Sequence, residues 1–253
     1  MIKAVSHSGI ALSQAPYFLQ KFYRRQLMDK KDLINYSPVR SFDNIADGGL
    51  KAGEIGLVTA KKGVGKTAIL VQFGLDALLK DEQLVHVSFD QHSSNVISWY
   101  DSIFTEIAKK KNIADNPELK DSIMRDRMIL NFSQETFSLA KVINTLKALK
   151  AGGIAVSAIV IDGMNMDKVS KEDIEAVSKF VKEEKMTAWF SDTKANTDLA
   201  GSCRPELLPF FDAVCHLAAS QNGVTLSVLK LRDKTAVAGT VNLDPKTLLM
   251  SAK

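Results

Sequence analysis

The chain has 253 residues, of which 45% are hydrophobic and 25% are charged. A chain of this length can bury a sizeable core, and its composition is that of a globular protein rather than a disordered or fibrous one. No window approaches the ~18 uninterrupted apolar residues of a membrane span, and a net charge of +4 is too mild to predict nucleic-acid binding by itself.

Two features predict a reducing, cytoplasmic location. The opening stretch, MIKAVSHSGIALSQAP, lacks the apolar core of a secretory signal. The two cysteines, Cys203 and Cys215, are too few for a disulfide framework or a cysteine metal cluster, and the four histidines lack metal-ligand spacing. We therefore expect a cytoplasmic protein without membrane contact.

The first 40 residues differ from the rest in charge. They hold seven basic and two acidic residues, a net charge of +5, which leaves −1 for the remainder. Aromatic and apolar residues between positions 12 and 34 recur near helical spacing, which favours a helical arm that packs on a neighbouring surface. Stacking on nucleic acid is the alternative. We divide the chain into an N-terminal helical arm, residues 1–40, and a main domain, residues 41–253, which begins in a turn-rich stretch.

Strands and helices alternate from residue 54 onward, which predicts an α/β fold with a mainly parallel sheet covered on both faces. The predicted strands are 54–60, 84–89, 127–133, 157–162, 187–192, 213–219 and 224–233. The predicted helices are 66–80, 95–110, 136–153 and 170–185, with a break at the NPEL sequence after the second of them. Because SQNG joins the last two strands as a tight hairpin, we expect an antiparallel C-terminal edge.

The stretch AKKGVGKT, residues 60–67, matches the end of the phosphate-loop (Walker A) pattern G-x-x-x-x-G-K-[ST]. It lies between a predicted strand and a predicted helix, which is the context that this pattern requires. We expect its backbone N–H groups to surround the phosphates of a nucleotide. The predicted nucleotide-binding residues are Lys62, Gly63, Val64, Gly65, Lys66, Thr67 and Ala68.

The residue types in this loop suit triphosphate chemistry. Gly63 and Gly65 can adopt positive φ, Lys66 offers a point charge, and Thr67 can offer its hydroxyl to Mg²⁺ at a helix N-terminus. Ala60 stands where the pattern has its first glycine, at a cost of roughly 1 kcal/mol if that position needs positive φ and less if it does not. The alternative is a glycine-rich turn that never meets a phosphate.

Asp162 ends the apolar strand 157–162. A carboxylate at the end of a central strand can hold the water shell of Mg²⁺, so we predict a metal site that Asp162 shares with Thr67. The alternative is an aspartate that only starts a turn, since Gly163 follows it.

Two longer stretches, GGLKAGEIGLVTAKKGVGKT and VHVSFDQHSSNV, resemble the RecA-like ATPases of the KaiC and DnaB type, and KaiC-like proteins most closely. The resemblance runs from about Ser41 to Arg232. It implies a three-layer RecA-like P-loop fold, with ATP and Mg²⁺ as the ligands.

The same resemblance implies that Asp90 is the carboxylate that activates the attacking water, with Gln91 where KaiC-like proteins have a second glutamate. Aspartate is one methylene shorter than the family's glutamate. Because a misplacement of ~1 Å can cost about 100-fold in rate, we expect slow hydrolysis. The alternative is that Asp90 only caps the end of its strand.

Further implied roles fall on the later strands. In TAWFSDT, Ser191 and Asp192 correspond to the strand end that senses the γ-phosphate. In VLKLRDK, Lys230 and Arg232 correspond to the K-x-R segment that KaiC-like ATPases present across a subunit boundary, and we expect both on one face of a strand. That role implies a homo-oligomeric ring or filament. The alternative is two solvated basic residues.

Three hypotheses about function follow. The first is an ATP-driven regulatory switch, with weak hydrolysis, that changes its oligomeric state or its contact with a protein partner. The second is a DNA-linked motor or recombinase or helicase accessory, because residues 193–206 lie where RecA-like motors place a DNA-contacting loop. The third is a nucleotide-binding module that does not hydrolyse ATP.

Overall fold

The computed structural model describes residues 30–89, 92–110, 117–133, 138–221, 223–235 and 239–251, except for the side chains of residues 31 and 32. The predicted arm up to residue 29, and the predicted catalytic pair Asp90 and Gln91, lie outside the described residues.

The described strands form one sheet with the order β3-β2-β4-β5-β1-β6-β7-β8-β9. Strands β1 to β6 run parallel, and β6 to β9 pair antiparallel, so the predicted parallel sheet with an antiparallel C-terminal edge is confirmed. The strands are β1 (Ile55–Ala60), β2 (Gln83–Phe89), β3 (Arg127–Phe132), β4 (Val156–Asp162), β5 (Thr187–Thr193), β6 (Ala213–Ser220), β7 (Gly223–Leu231), β8 (Thr240–Leu243) and β9 (Met250–Ser251).

Helices cover both faces of the sheet and complete the predicted three layers. One face packs on α1 (Lys30–Tyr36), α2 (Val39–Ile45), α3 (Lys66–Leu79), α4 (Ser93–Lys110) and α5 (Pro117–Met124). The other face packs on α6 (Leu139–Ala151) and α7 (Lys171–Glu184). A four-residue helix, α8 (Leu199–Ser202), follows β5. Among the described residues, no helix is long and apolar enough to cross a bilayer.

Helix α3 is the central helix of the fold. Every residue from Ala68 to Leu79 is buried, because α1, α2, α4 and the sheet surround the helix. A helix without an exposed side holds its N-terminus in a fixed place. The loop that precedes it, residues 61–65, is therefore anchored by β1 on one side and by α3 on the other.

The turn-rich stretch at the start of the main domain also contains a helix that was not predicted. Val39–Ile45 forms α2, which places the Phe42 ring beside the rings of Phe73 and Trp189. The centroid of the Phe42 ring lies 5.1 Å from that of Phe73 and 5.7 Å from that of Trp189. These long-range aromatic contacts stabilise a seven-residue helix that its own sequence does not predict. Pro117, in the predicted break, begins the short helix α5.

The prediction that Arg232 continues a strand from Lys230 is wrong. Strand β7 ends at Leu231, and Arg232 has a φ of 51°, which turns the chain away from the sheet. Strands β8 and β9 were also not predicted, because they are four and two residues long and are stabilised by pairing with β7 and with each other.

Candidate functional site

The carboxyl ends of three adjacent strands bring the predicted site residues together. Strand β1 lies beside β5, and β5 lies beside β4. The loop 61–65 leaves β1, Asp162 ends β4, and Ser191 lies near the end of β5. Ligands of parallel α/β sheets bind at this edge.

The loop has the backbone that its glycines predict. Gly63 has a φ of 83° and Gly65 a φ of 120°, both in the region that favours glycine. Ala60 is the last residue of β1, pairs with Thr193 and Leu217, and is not among the residues with positive φ. Alanine therefore causes no backbone strain at the first position of the pattern.

The ammonium group of Lys66 folds back on the loop. Its Nζ donates to the carbonyl oxygens of Ala60 and Lys61, at 3.3 and 3.5 Å. Burial lowers the pKa of Lys66, while Asp162 and Asp192 act in the opposite direction. A polyanion bound in the loop would offset the cost of burying this charge.

The predicted metal pair lies in direct contact. Thr67 Oγ1 donates to Asp162 Oδ2 at 2.7 Å, and Asp162 is only 3% exposed. The carboxylate lies at the end of strand β4, and the hydroxyl lies in the first turn of α3. Two residues far apart in the chain therefore place two oxygen atoms that could bind a metal beside the phosphate loop.

Ser191 lies behind this carboxylate. Its hydroxyl donates to Asp162 Oδ1 at 2.6 Å and accepts from the backbone N–H of Gly163 at 2.8 Å. Because Ser191 is fully buried and its hydroxyl makes both contacts, its place in the structure suits orienting Asp162 rather than the predicted contact with a γ-phosphate. Asp162 is thus held on both of its oxygens.

The Thr67 hydroxyl and the Asp162 carboxylate fit Mg²⁺ only if a bound phosphate supplies further oxygen ligands. Carboxylate and hydroxyl oxygens are hard ligands of the kind Mg²⁺ prefers, and Mg²⁺ usually takes one or two of them, with waters and phosphate oxygens completing its shell. No group of three or more His, Cys, Asp or Glu side chains that could hold a metal occurs in the part of the chain that the structure describes. Bound there, Mg²⁺ would neutralise phosphate charge.

Asp192, the second candidate on β5, is held by its own chain. Its Oδ1 accepts from the backbone N–H groups of Thr193 and Met166, and its Oδ2 lies 3.6 Å from Lys194 Nζ. Burial raises its pKa, and Lys194 and the two backbone donors oppose this shift. Lys194 also pairs with Asp167 at 2.5 Å.

The other basic residue of the loop 193–206 is also engaged. Arg204 donates to the carbonyl of Val169 and lies 3.5 Å from Glu206. The two cations that the DNA hypothesis would use in this loop, Lys194 and Arg204, therefore both contact acceptors of the same chain.

Lys230 and Arg232 lie at the opposite end of the sheet from the loop. Lys230 pairs with Val214 near the start of β6, whereas the loop follows Ala60, which pairs with Leu217. Val214 and Leu217 are three residues apart on β6, which corresponds to about 10 Å along the strand. Neither residue lies where its own chain's loop would hold a phosphate.

Both basic residues make contacts within the chain. Lys230 donates to the carbonyl of Phe211, and burial lowers its pKa. Arg232 forms a two-pronged ion pair with Glu54, at 2.7 and 3.0 Å, and a further hydrogen bond to Asp47 at 3.2 Å. The planar guanidinium suits this bidentate geometry.

Sequence reasoning missed one polar pair beside the loop. Thr59 Oγ1 and His216 Nδ1 are 2.9 Å apart on the adjacent strands β1 and β6. Burial lowers the pKa of His216; Asp198 acts against this shift, and Lys61 and Lys66 reinforce it. The available signal was a polar residue near the end of each of two apolar strands, which is too common a pattern to single out a site.

The chain leaves β2 at the same edge. Ser88 pairs with Asp162 across β2 and β4, and β2 ends one residue later at Phe89. Asp90 and Gln91 follow in the sequence, so their predicted role in activating water stays a prediction.

A comparison with protein families accounts for this arrangement. The family model described as ATPase: KaiC matches residues 37–242, which is most of the chain. No curated protein matches the sequence. The fold, the loop and the family match agree, and the chain belongs to the KaiC family of RecA-like P-loop ATPases.

Proposed function

We propose that this protein binds ATP with Mg²⁺ between the subunits of a homo-oligomer, hydrolyses it slowly, and acts as a regulatory switch. The observation that carries the proposal is the hydrogen-bonded set of Thr67, Asp162 and Ser191 beside the lysine of the phosphate loop. The family match supports ATP as the nucleotide.

The proposal that ATP binds between subunits rests on two features at opposite edges of the sheet. The phosphate loop lies at the carboxyl edge of the sheet, and Lys230 and Arg232 lie at the amino edge. A head-to-tail contact would bring these cations of one subunit to the phosphates of the next, where they would stabilise developing negative charge. In that contact Lys230 would exchange the Phe211 carbonyl, and Arg232 would exchange Glu54, for phosphate oxygens. The predicted helical arm, residues 1–40, is proposed to link neighbouring subunits through the part that precedes Lys30, since Lys30–Tyr36 packs on α3 of the same chain.

The switch role follows from slow turnover. An enzyme that hydrolyses slowly stays in its ATP-bound form long enough for that form to bind a protein partner. The DNA-linked alternative receives no support from the loop 193–206, which holds Lys194 and Arg204 but no dense basic cluster.

Mixing two inactive variants tests the shared site. Lys66→Ala removes the loop's charge, and Arg232→Ala removes the proposed charge from the neighbour. We expect each variant alone to lose most ATPase activity and a mixture to recover part of it, since a mixed interface can combine one intact loop with one intact arginine. Steady-state phosphate release and light scattering with ATP and Mg²⁺ measure the activity and the assembly.

The control is Lys234→Ala, a nearby exposed lysine, which should keep native activity and assembly. Full activity of Arg232→Ala alone, or a protein that stays monomeric with ATP and Mg²⁺, would contradict the shared site.

Slow hydrolysis has its own test in Asp90→Glu. Restoring the family's longer side chain is expected to raise turnover by about 10- to 100-fold, because it returns the carboxylate to the water. Asp90→Asn, which has the same shape without the base, should not raise it. Single-turnover measurements report the chemical step, and no hydrolysis by the native chain or by Asp90→Glu would favour a pure binding module.

A further inference from the structure

Two buried polar atoms of β2 have no hydrogen-bond partner in the described part of the chain. They are His86 Nε2 and Ser88 Oγ. The two residues are 0% and 1% exposed. Folded proteins leave few such atoms unsatisfied, and an internal water often supplies the missing partner.

The two residues lie on one face of the sheet beside the proposed metal site. His86 and Ser88 are two residues apart on a strand, so their side chains leave the sheet on the same face about 7 Å apart. Ser88 pairs with Asp162 on the neighbouring strand β4, and His86 pairs with Val160. Val160 packs in the core between the sheet and helices α3 and α4.

The orientation of His86 is fixed. Its Nδ1 lies 3.0 Å from the hydroxyl of Tyr100 on α4, which is itself fully buried. Gly74 of α3 allows this contact, since a Cβ there would lie 2.3 Å from the Tyr100 hydroxyl oxygen. The Arg127 guanidinium covers the Tyr100 ring, 4.8 Å from its centroid.

His86 is neutral at neutral pH. Burial lowers its pKa to about 4, with Arg127 acting in the same direction and Asp162 against it. A neutral imidazole has one donor and one acceptor nitrogen, and Tyr100 engages only one of the two. Nε2 therefore retains an unmet hydrogen-bonding capacity inside the core.

We propose that His86 Nε2, Ser88 Oγ and the Asp162 carboxylate bind one internal water, and that His86 and Ser88 are positioning residues for Asp162. Three partners are the usual number for a buried water. The carboxylate oxygens that accept from Thr67 and Ser191 each have a second lone pair for this purpose. The proposal rests on the proposed role of Asp162 with Mg²⁺.

The consequence is a polar connection from the metal site to α4. It runs from Asp162 through the water and His86 to Tyr100. Helix α4 is the helix that follows Asp90 and Gln91 in the sequence. Groups that orient a metal ligand in this way commonly change metal affinity by about 10- to 100-fold when they are removed.

Ser88→Ala gives the test, because the two accounts of Ser88 predict opposite signs. If the hydroxyl has no partner, its removal relieves a desolvation cost and raises the melting temperature. If it binds the proposed water, its removal lowers the melting temperature of the nucleotide-free protein by about 2–4 °C. We also expect about tenfold more Mg²⁺ to be needed for half-maximal tightening of ATP binding, measured by calorimetry.

Two further variants separate this role from a general loss of packing. Ser37→Ala removes another buried hydroxyl, which accepts from the backbone N–H of Val39, and should lower the melting temperature without changing the Mg²⁺ requirement. Tyr100→Phe frees His86 and should raise the Mg²⁺ requirement as Ser88→Ala does.

An unchanged Mg²⁺ requirement in Ser88→Ala, or a higher melting temperature, would overturn the proposal. Failure of the native protein to bind ATP would instead overturn the proposed function. The melting temperatures are measured without nucleotide, so the two failures can be distinguished.

Discussion

Lys66→Ala is expected to weaken ATP binding by about 100-fold or more, because a phosphate then loses its charge-assisted hydrogen bond inside a partly desolvated site. Stability should not fall, since burial of the Lys66 ammonium is unfavourable, as the lowered pKa indicates. Calorimetric titration with ATP and Mg²⁺ measures the first effect, and thermal unfolding without nucleotide measures the second.

Lys62→Ala is the matched control for this substitution. Lys62 belongs to the same loop and carries the same charge, but its side chain is exposed. Its predicted contact with phosphate is through the backbone N–H. Its replacement should change ATP affinity by only a few-fold. Equal losses in the two variants would mean that the loop attracts anions by net charge alone and has no specific lysine contact.

Asp162→Asn is expected to abolish the tightening of ATP binding by Mg²⁺ and to lower hydrolysis by about 100-fold. The amide keeps the shape of the side chain but loses the charge that would hold the water shell of the metal. Binding of ATP without Mg²⁺ should stay the same or tighten slightly, because one negative charge beside the phosphates is gone. Titrations with and without a chelator compare the two conditions.

Asp192→Asn provides the comparison. Asp192 is a buried carboxylate at the same edge of the sheet, 4% exposed, and is bound by backbone N–H groups and Lys194. Its replacement should leave the Mg²⁺ dependence intact. An Asp162→Asn variant whose affinity still rises with Mg²⁺ would show that another group binds the metal.

The central features of the fold were predictable because they depend on local patterns. Apolar strands alternate with amphipathic helices, and the order of such elements determines a covered parallel sheet. Ser170 precedes α7, and its hydroxyl accepts from the Asp173 N–H at 3.1 Å, as serine at the start of a helix commonly does. The glycines of the phosphate loop have the positive φ that their residue type favours.

Other features were not predictable because contacts between distant residues decide them. Arg232 leaves the strand to reach Glu54, 178 positions earlier in the chain. The family resemblance linked Ser191 to a γ-phosphate, and the structure gives its hydroxyl a partner in the side chain of Asp162 on the neighbouring strand. A single sequence shows which side chains can form hydrogen bonds, but it does not show which residues they pair with.

The same limit applies to the polar residues of the core. His86 lies in a run of apolar residues, LVHVSF, that predicts a strand and gives no role for the imidazole. Only the assembled fold places it against Tyr100 and on the face of the sheet that leads to Asp162.

Calorimetric titration of the native chain with ATP, ADP, AMP and adenosine, each with Mg²⁺, measures directly whether the loop binds a polyphosphate. If backbone amides and Lys66 bind the β- and γ-phosphates, affinity should fall steeply from ATP and ADP to AMP, and adenosine should give no heat of binding. Equal affinity for adenosine and ATP, or no heat with any of the four, would contradict the account.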